Sequence, residues 1–247
     1  MEDWGLAEEK VRRICTPAPP EAPIYHENFA EPSPDDRHRP PSRGRGPAPV
    51  ASPAVTHHSP LVALLAGYRP EGEAETADLP RILALAEAAE DPWRREIPLH
   101  VTASALIVHP PTARVLLRWH ERQQAWLQVG GHGDPGESDP LAIALREAGE
   151  ETGLADLAPW PDAALRQAVI VNVPAGNGEP AHEHADLRFF LATEAPEAAR
   201  AENEHAPLRW LSLAQAREAT SEANLREALT RLERLLLPTG QAPSTRG

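Results

Sequence analysis

The chain has 247 residues, 41% of them hydrophobic, and a net charge of −13 from 37 acidic against 24 basic side chains. That length holds one domain with a sizeable core plus extensions, while the charge argues against a nucleic-acid surface, whose phosphates need Lys and Arg. The single cysteine, Cys15, rules out an internal disulfide and a CxxC zinc site. There is no bilayer-length apolar run and no secretory leader, so a cytoplasmic protein without membrane contacts is expected.

In chain order, residues 1–59 are crowded with Pro and include RHRPPSRGRGPAP from Arg37 to Pro49. Such a composition buries too little apolar surface to offset ordering entropy, so a disordered tail is expected. Within it, Glu2 to Ile14 has the spacing of a short amphipathic helix, transient in isolation, and His57-His58 lacks further ligand types beside it. Residues 60–96 turn helical. Leu61, Val62, Leu64 and Leu65 form one apolar turn; Leu79, Ile82, Leu83, Leu85 and Ala86 form a second, with an N-cap expected near Thr76 or Asp78 after the loop RPEGEAETAD. This small helical cap suits packing onto the domain that follows, with a lid or a homodimer contact as the alternative.

Strands are expected over His100–Val108, over Arg114–Trp119 across a His109-Pro110-Pro111 turn, and over Trp126–Val129. Further on, Ala168–Val173 and Asp186–Thr193 flank the loop PAGNGEP, and Leu208–Leu211 precedes helical segments over Ser212–Thr220 and Glu222–Leu237. This order suggests a mixed sheet covered on both faces.

The densest chemistry lies between Trp126 and Leu154. Gly130, Gly131, Gly133 and Gly136 surround Asp134-Pro135, in a loop whose backbone can approach a ligand closely. A helix should follow from Pro140 to Thr152, with Asp139 as N-cap and Gly153 as its stop. At about 100° per residue, Glu147, Glu150 and Glu151 share one edge beside the apolar face of Leu141, Ala144, Leu145 and Ala148. Like charges at these spacings repel, a local penalty that a hard cation such as Mg²⁺ or Mn²⁺ would relieve. A bare ExxEE reads more readily as a solvated helix face; the preceding glycine loop and Arg146 reverse that preference towards a metal site.

The stretch resembles the Nudix box, Gx5Ex7REUxEExGU, where U is a bulky apolar residue. Gly131 and Glu137 match its first half; Arg146, Glu147, Glu150, Glu151, Gly153 and Leu154 match its second, with Ala148 a small occupant of the first U position. Eight residues, not seven, separate Glu137 from Arg146. The Ser138–Pro140 turn is expected to absorb the extra one, which leaves the helical carboxylates in register and the role of Glu137 open.

The resemblance implies a Nudix-type α/β/α sandwich with a mixed sheet over roughly residues 97–220, followed by a C-terminal helix and tail over 221–247. It implies a pyrophosphohydrolase using Mg²⁺ or Mn²⁺ on a nucleoside diphosphate derivative or similar small phosphorylated metabolite, with no nucleic-acid partner. Glu147, Glu150 and Glu151 would hold metal, joined by Glu204 or its neighbour Glu202, and Glu147 or Glu204 would take the attacking water's proton. Arg146 would orient a glutamate through a bidentate pair. Substrate contacts are expected from Gly131, His132, His182, His184 and Arg188, with Trp126 either stacking on a base or buried. His182, His184 and Asp186 alternate, so a strand that begins early would put them on one face as a transition-metal alternative to substrate contact. A nucleotide-binding sensor with weak catalysis is the competing reading. An isomerase of the same fold relies on an active-site cysteine, and Cys15 lies in the tail.

Overall fold

The structure, a computed structural model, describes residues 59–236 except Asn177. The expectations for the tail, including Glu2–Ile14, Cys15 and His57-His58, lie outside the described residues, as do those for residues 237–247. No helix among the described residues is long and apolar enough to cross a membrane.

The sheet grows from β1, Leu99–His109, whose residues 100–108 are all buried. Alternation sends Val101, Ala103, Ala105 and Ile107 into one core, while Leu106 and Val108 join another on the opposite face. His100, Thr102 and Ser104 share parity with Leu106, so one end of that second face is polar. Along one side β1 pairs in parallel with β7, His182–Ala192, with His100 opposite His184, Thr102 opposite Asp186 and Ser104 opposite Arg188. Along its other side β1 has two antiparallel neighbours: β2, Arg114–His120, at Ile107–His109, and β4, Val129–Gly131, at Ala103–Ala105. The sheet therefore opens between β2 and β4. Four further strands complete eight: β3 (Ala125–Leu127) and β8 (Leu208–Ser212) on β2, and β5 (Ala158–Pro159) and β6 (Gln167–Val173) on β7.

Helices cover both faces, which makes the expected α/β/α sandwich. Helices α1 (Pro60–Gly67), α2 (Glu73–Ala88) and α3 (Pro140–Thr152) pack through Leu65, Ile82, Ile143 and Ala144 onto the first core. Helices α4 (Leu213–Ala219) and α5 (Ala223–Leu236) close the second core through Ala216, Leu225, Leu229 and Leu232.

Local differences from expectation have tertiary causes. Helix α2 starts at Glu73, ahead of Thr76 and Asp78, and holds Pro80 in its interior. Its first turn is anchored by the fully buried Glu75, which accepts bonds from Arg231 in α5 and from the N–H of Ala168. The expected Trp126–Val129 strand is two short ones, because β3 stays with β2 while β4 crosses to β1. Strand β7 begins at His182, so the early start that aligns the HxHxD side chains is realised.

Candidate active site

Helix α3 has the anticipated bounds: the Asp139 side chain accepts from the N–H of Leu141 and Ala142, and Gly153 ends it at φ 67°. Its buried Ile143, Ala144 and Ala148 fix the rotation that aims Glu147 and Glu151 at the β4 backbone. The Glu151 carboxylate accepts from the Gly130 N–H at 3.0 Å. A Cβ on Gly131 would stand 2.8 Å from the Glu147 carboxylate, and one on Gly130 (φ +142°) would stand 2.4 Å from Ser104 Cα. Backbone angle and backbone contact together require glycine at position 130, while at position 131 a Cβ would displace the Glu147 carboxylate.

Two arginines bind these carboxylates. Arg146 donates to Glu137 from Nε at 3.1 Å and from Nη2 at 2.9 Å, to Glu147 and Glu150 from Nη1 at 3.1 and 2.9 Å, and to the His132 carbonyl at 2.9 Å. Residues 137–139 are irregular, and Glu137 reaches both Arg146 and the Asp134 N–H. Arg118 on β2 lies 3.2 Å from Glu151 and 3.1 Å from Glu202. Burial pushes the Glu151 carboxyl up to about 7, against the opposing pull of Arg118 and the Gly130 N–H. Burial also raises Glu147, again against Arg146. Glu150 is 60% exposed.

The distal glutamates separate. Glu202 reaches the cluster through Arg118, whereas Glu204 is 87% exposed with its neighbour His205 at 3.6 Å. Sequence spacing favoured Glu204; the loop before β8 brings Glu202 instead.

Beside the Gly130–His132 backbone lies a cavity of about 240 Å³ floored by the polar end of β1 and β7. Asp186 organises that floor, accepting from Thr102 at 3.2 Å, Ser104 at 3.0 Å, Gln128 at 3.2 Å and Arg188 at 2.7 Å. Arg188 is 2% exposed, with Nε given to Asp186 and Nη1 to Gln167 at 2.9 Å. It braces the floor and is itself one of the residues that line the cavity. The Gln128 side-chain amide oxygen, Oε1, is buried without a partner, and Gln128 lines the same cavity. Trp126 is half-buried, with the Arg209 guanidinium 4.5 Å from its ring centroid.

His132 and His184 also line the cavity, and His182 and His100 stand behind them. Burial drives His132 down to about 3, reinforced by His184, and His184 down to about 4, reinforced by His100. His100 was anticipated only as the start of a strand. Its signal becomes visible once the β1–β7 register sets it opposite His184.

A family model described as NUDIX domain matches residues 98–232, more than half of the chain. An Ap4A hydrolase of C. elegans, solved as a binary complex, is 19% identical over 57% of this chain and 98% of its own, with a TM-score of 0.44. A NUDIX-family hydrolase from Clostridium perfringens is 25% identical over 56% of this chain and 95% of its own, with a TM-score of 0.40. A MutT protein from Methanosarcina mazei Go1 is 25% identical over 57% and 97%, with a TM-score of 0.39. No curated protein matches the chain. With the family model spanning the sheet, the glycine loop, α3 and most of α5, the chain belongs to the Nudix family.

Proposed function

We propose that this chain cleaves the diphosphate linkage of a nucleoside diphosphate derivative or a similar small metabolite, with Mg²⁺ or Mn²⁺ held by Glu147, Glu150 and Glu151. Nudix enzymes act on small phosphorylated substrates and generally use divalent metals. The observation that carries the reading is the placement of the Glu147 and Glu151 carboxylates against Gly131 and Gly130, two glycines that themselves line the Asp186-floored cavity.

The residues fit such an ion. Carboxylate oxygens are the donors a hard dication prefers, and the desolvation that raises Glu147 and Glu151 is a penalty a nearby cation would offset. When bound, the ion would polarise a phosphoryl oxygen and make water more acidic. Arg146 is a positioning residue, since its guanidinium ties Glu137, Glu147 and Glu150 to the His132 carbonyl. Arg118 does the same for Glu151 and Glu202, and we assign Glu202 the distal role that the sequence favoured for Glu204. His132 and His184 face the cavity as neutral rings, and the Gln128 side-chain amide oxygen offers an acceptor to a donor on the substrate.

The direct test is phosphate or nucleotide release from a panel of nucleoside diphosphate derivatives with Mg²⁺, with Mn²⁺ and with EDTA. Metal-dependent release from at least one compound is expected. Ligands that raise the melting temperature without release in either metal would replace this reading with a sensor.

The two glycines should separate fold from chemistry. Gly131→Ala meets only the mobile end of Glu147, so turnover should fall by about 10²-fold, as for a misplacement near 1 Å, with little change in melting temperature. Gly130→Ala meets backbone at an unfavourable angle, and should cost about 1–3 kcal/mol in thermal or denaturant unfolding. Equal effects of the two on stability would argue against this placement of Glu147.

A further inference from the structure

Four imidazoles converge where β1 and β7 begin. The His100 Nε2 lies 3.0 Å from His132 Nε2, and His182 Nε2 lies 3.1 Å from His184 Nε2. One ring nitrogen each from His100, His182 and His184 fall within 4.8 Å of one another, and no group of three carboxylates does so among the described residues. Ring centroids of His132 and His184 are 4.9 Å apart, which sets a fourth imidazole beside this group of three.

The tautomers are decided by the backbone. His100 Nδ1 lies 2.9 Å from the Ile97 carbonyl and His182 Nδ1 lies 2.9 Å from the Pro180 carbonyl. A carbonyl can only accept, so both rings carry their proton on Nδ1 and aim an Nε2 lone pair into the cluster. A ligand histidine is commonly oriented in this way, its outer N–H given to a carbonyl so that the inner nitrogen is free.

We propose that His100, His182 and His184, with His132 as fourth ligand, form a binding site for one transition-metal ion of the Zn²⁺ class, separate from the glutamate site. Tetrahedral zinc with Zn–N bonds of about 2.0–2.1 Å sets its ligand nitrogens roughly 3.4 Å apart. The two measured Nε2 separations lie within a few tenths of an ångström of that spacing. The donor set selects the ion: neutral imidazoles suit zinc and its neighbours, while Mg²⁺ prefers oxygen and would stay with the glutamates. Asp186, the third member of the HxHxD pattern, is held by Thr102, Ser104, Gln128 and Arg188, and takes no part.

The ion would join three pieces of chain: the start of β1, the start of β7, and the glycine loop through His132. Arg146 of α3 grips the carbonyl of that same His132. The site would therefore fix the loop against which Glu147 and Glu151 are placed, whatever substrate the cavity takes.

The test is metal content, which needs no turnover and stands whether or not the hydrolase reading holds. Untagged protein would be loaded with one equivalent of Zn²⁺, freed of excess by gel filtration and assayed by mass spectrometry of the metal. Co²⁺ would be titrated in parallel for its visible d–d bands. About one Zn²⁺ per chain should survive in the parent protein and in Glu150→Gln/Glu151→Gln, and should be lost from His182→Ala/His184→Ala. Should that double variant fail to fold, His182→Gln alone, at a partly exposed strand end, is expected to weaken Co²⁺ affinity at least tenfold with circular dichroism unchanged. Retention of zinc by the histidine variants, its loss from Glu150→Gln/Glu151→Gln, or no retained zinc in the parent protein would overturn the proposal.

Discussion

Glu151→Gln is expected to lower metal-dependent diphosphate cleavage by about 10³-fold, equivalent to roughly 4 kcal/mol of barrier at 1.4 kcal/mol per decade. The substitute keeps an amide oxygen to accept from the Gly130 N–H, so the loop retains that contact. What is lost is the charge beside Arg118, and Arg118 still has Glu202 at 3.1 Å. Stability should therefore change little, since the parent carboxylate is one that burial already disfavours. Glu150→Gln should lose less, about 10²-fold, because that carboxylate is 60% exposed and leans on Arg146. Kinetics in Mg²⁺ together with thermal melts with and without the ion check both parts. In the Glu151 variant the metal-induced rise in melting temperature should disappear along with turnover. Parental turnover in both variants would remove the glutamates from the mechanism.

How far the sequence discloses this site depends on the range of the interactions that build it. Helix α3 is legible to the residue, because the Asp139 cap, Pro140 and Gly153 act within one turn of their own positions. The β1–β2 hairpin is legible for the same reason, its reversal being made by Pro110–Thr112 and by Ala113 in the left-handed region. The histidine cluster is only half legible. His182 and His184 announce themselves by alternation, but His100 joins them through a parallel register between strands about 80 residues apart, and His132 through the course of a glycine loop. Local pattern carries no information on either. Glu202 and Glu204 differ by two residues in an irregular segment, where no periodicity says which one turns towards Arg118. The start of α2 is hidden for a related reason: Glu73 and Glu75 read as loop residues until Arg231, 156 residues later, supplies a buried partner.

That partner makes the second large effect. Glu75→Ala should destabilise the protein by about 3–5 kcal/mol, the usual result of removing one member of a buried ion pair. At this size it should lower the melting temperature by roughly 10 °C. Glu75 is fully buried and Arg231 is 7% exposed; the guanidinium donates to both Glu75 oxygens, at 3.1 and 2.6 Å, and to the carbonyls of Arg166 and Glu71 at 2.6 and 2.8 Å. Without the carboxylate those carbonyls must hold a buried positive charge alone. Replacing both residues, Glu75→Leu with Arg231→Met, removes the orphaned charge and should recover much of the loss. The pair also sets a pH signature. Burial alone would raise the Glu75 carboxyl, but Arg231, Tyr68 and the N–H groups of Glu71 and Ala168 outweigh it and hold it below its ordinary value. A depressed folded-state value stabilises the protein above the unfolded carboxyl's range, and that contribution is lost as pH falls through the folded value. The gap in melting temperature between parent and Glu75→Ala should therefore be full at pH 7 and narrow below about pH 4. Melts at pH 7 and pH 3.5 decide the matter: a gap that is small at neutral pH, or one that does not narrow in acid, would show that Glu75 and Arg231 are not the clasp between α2 and α5.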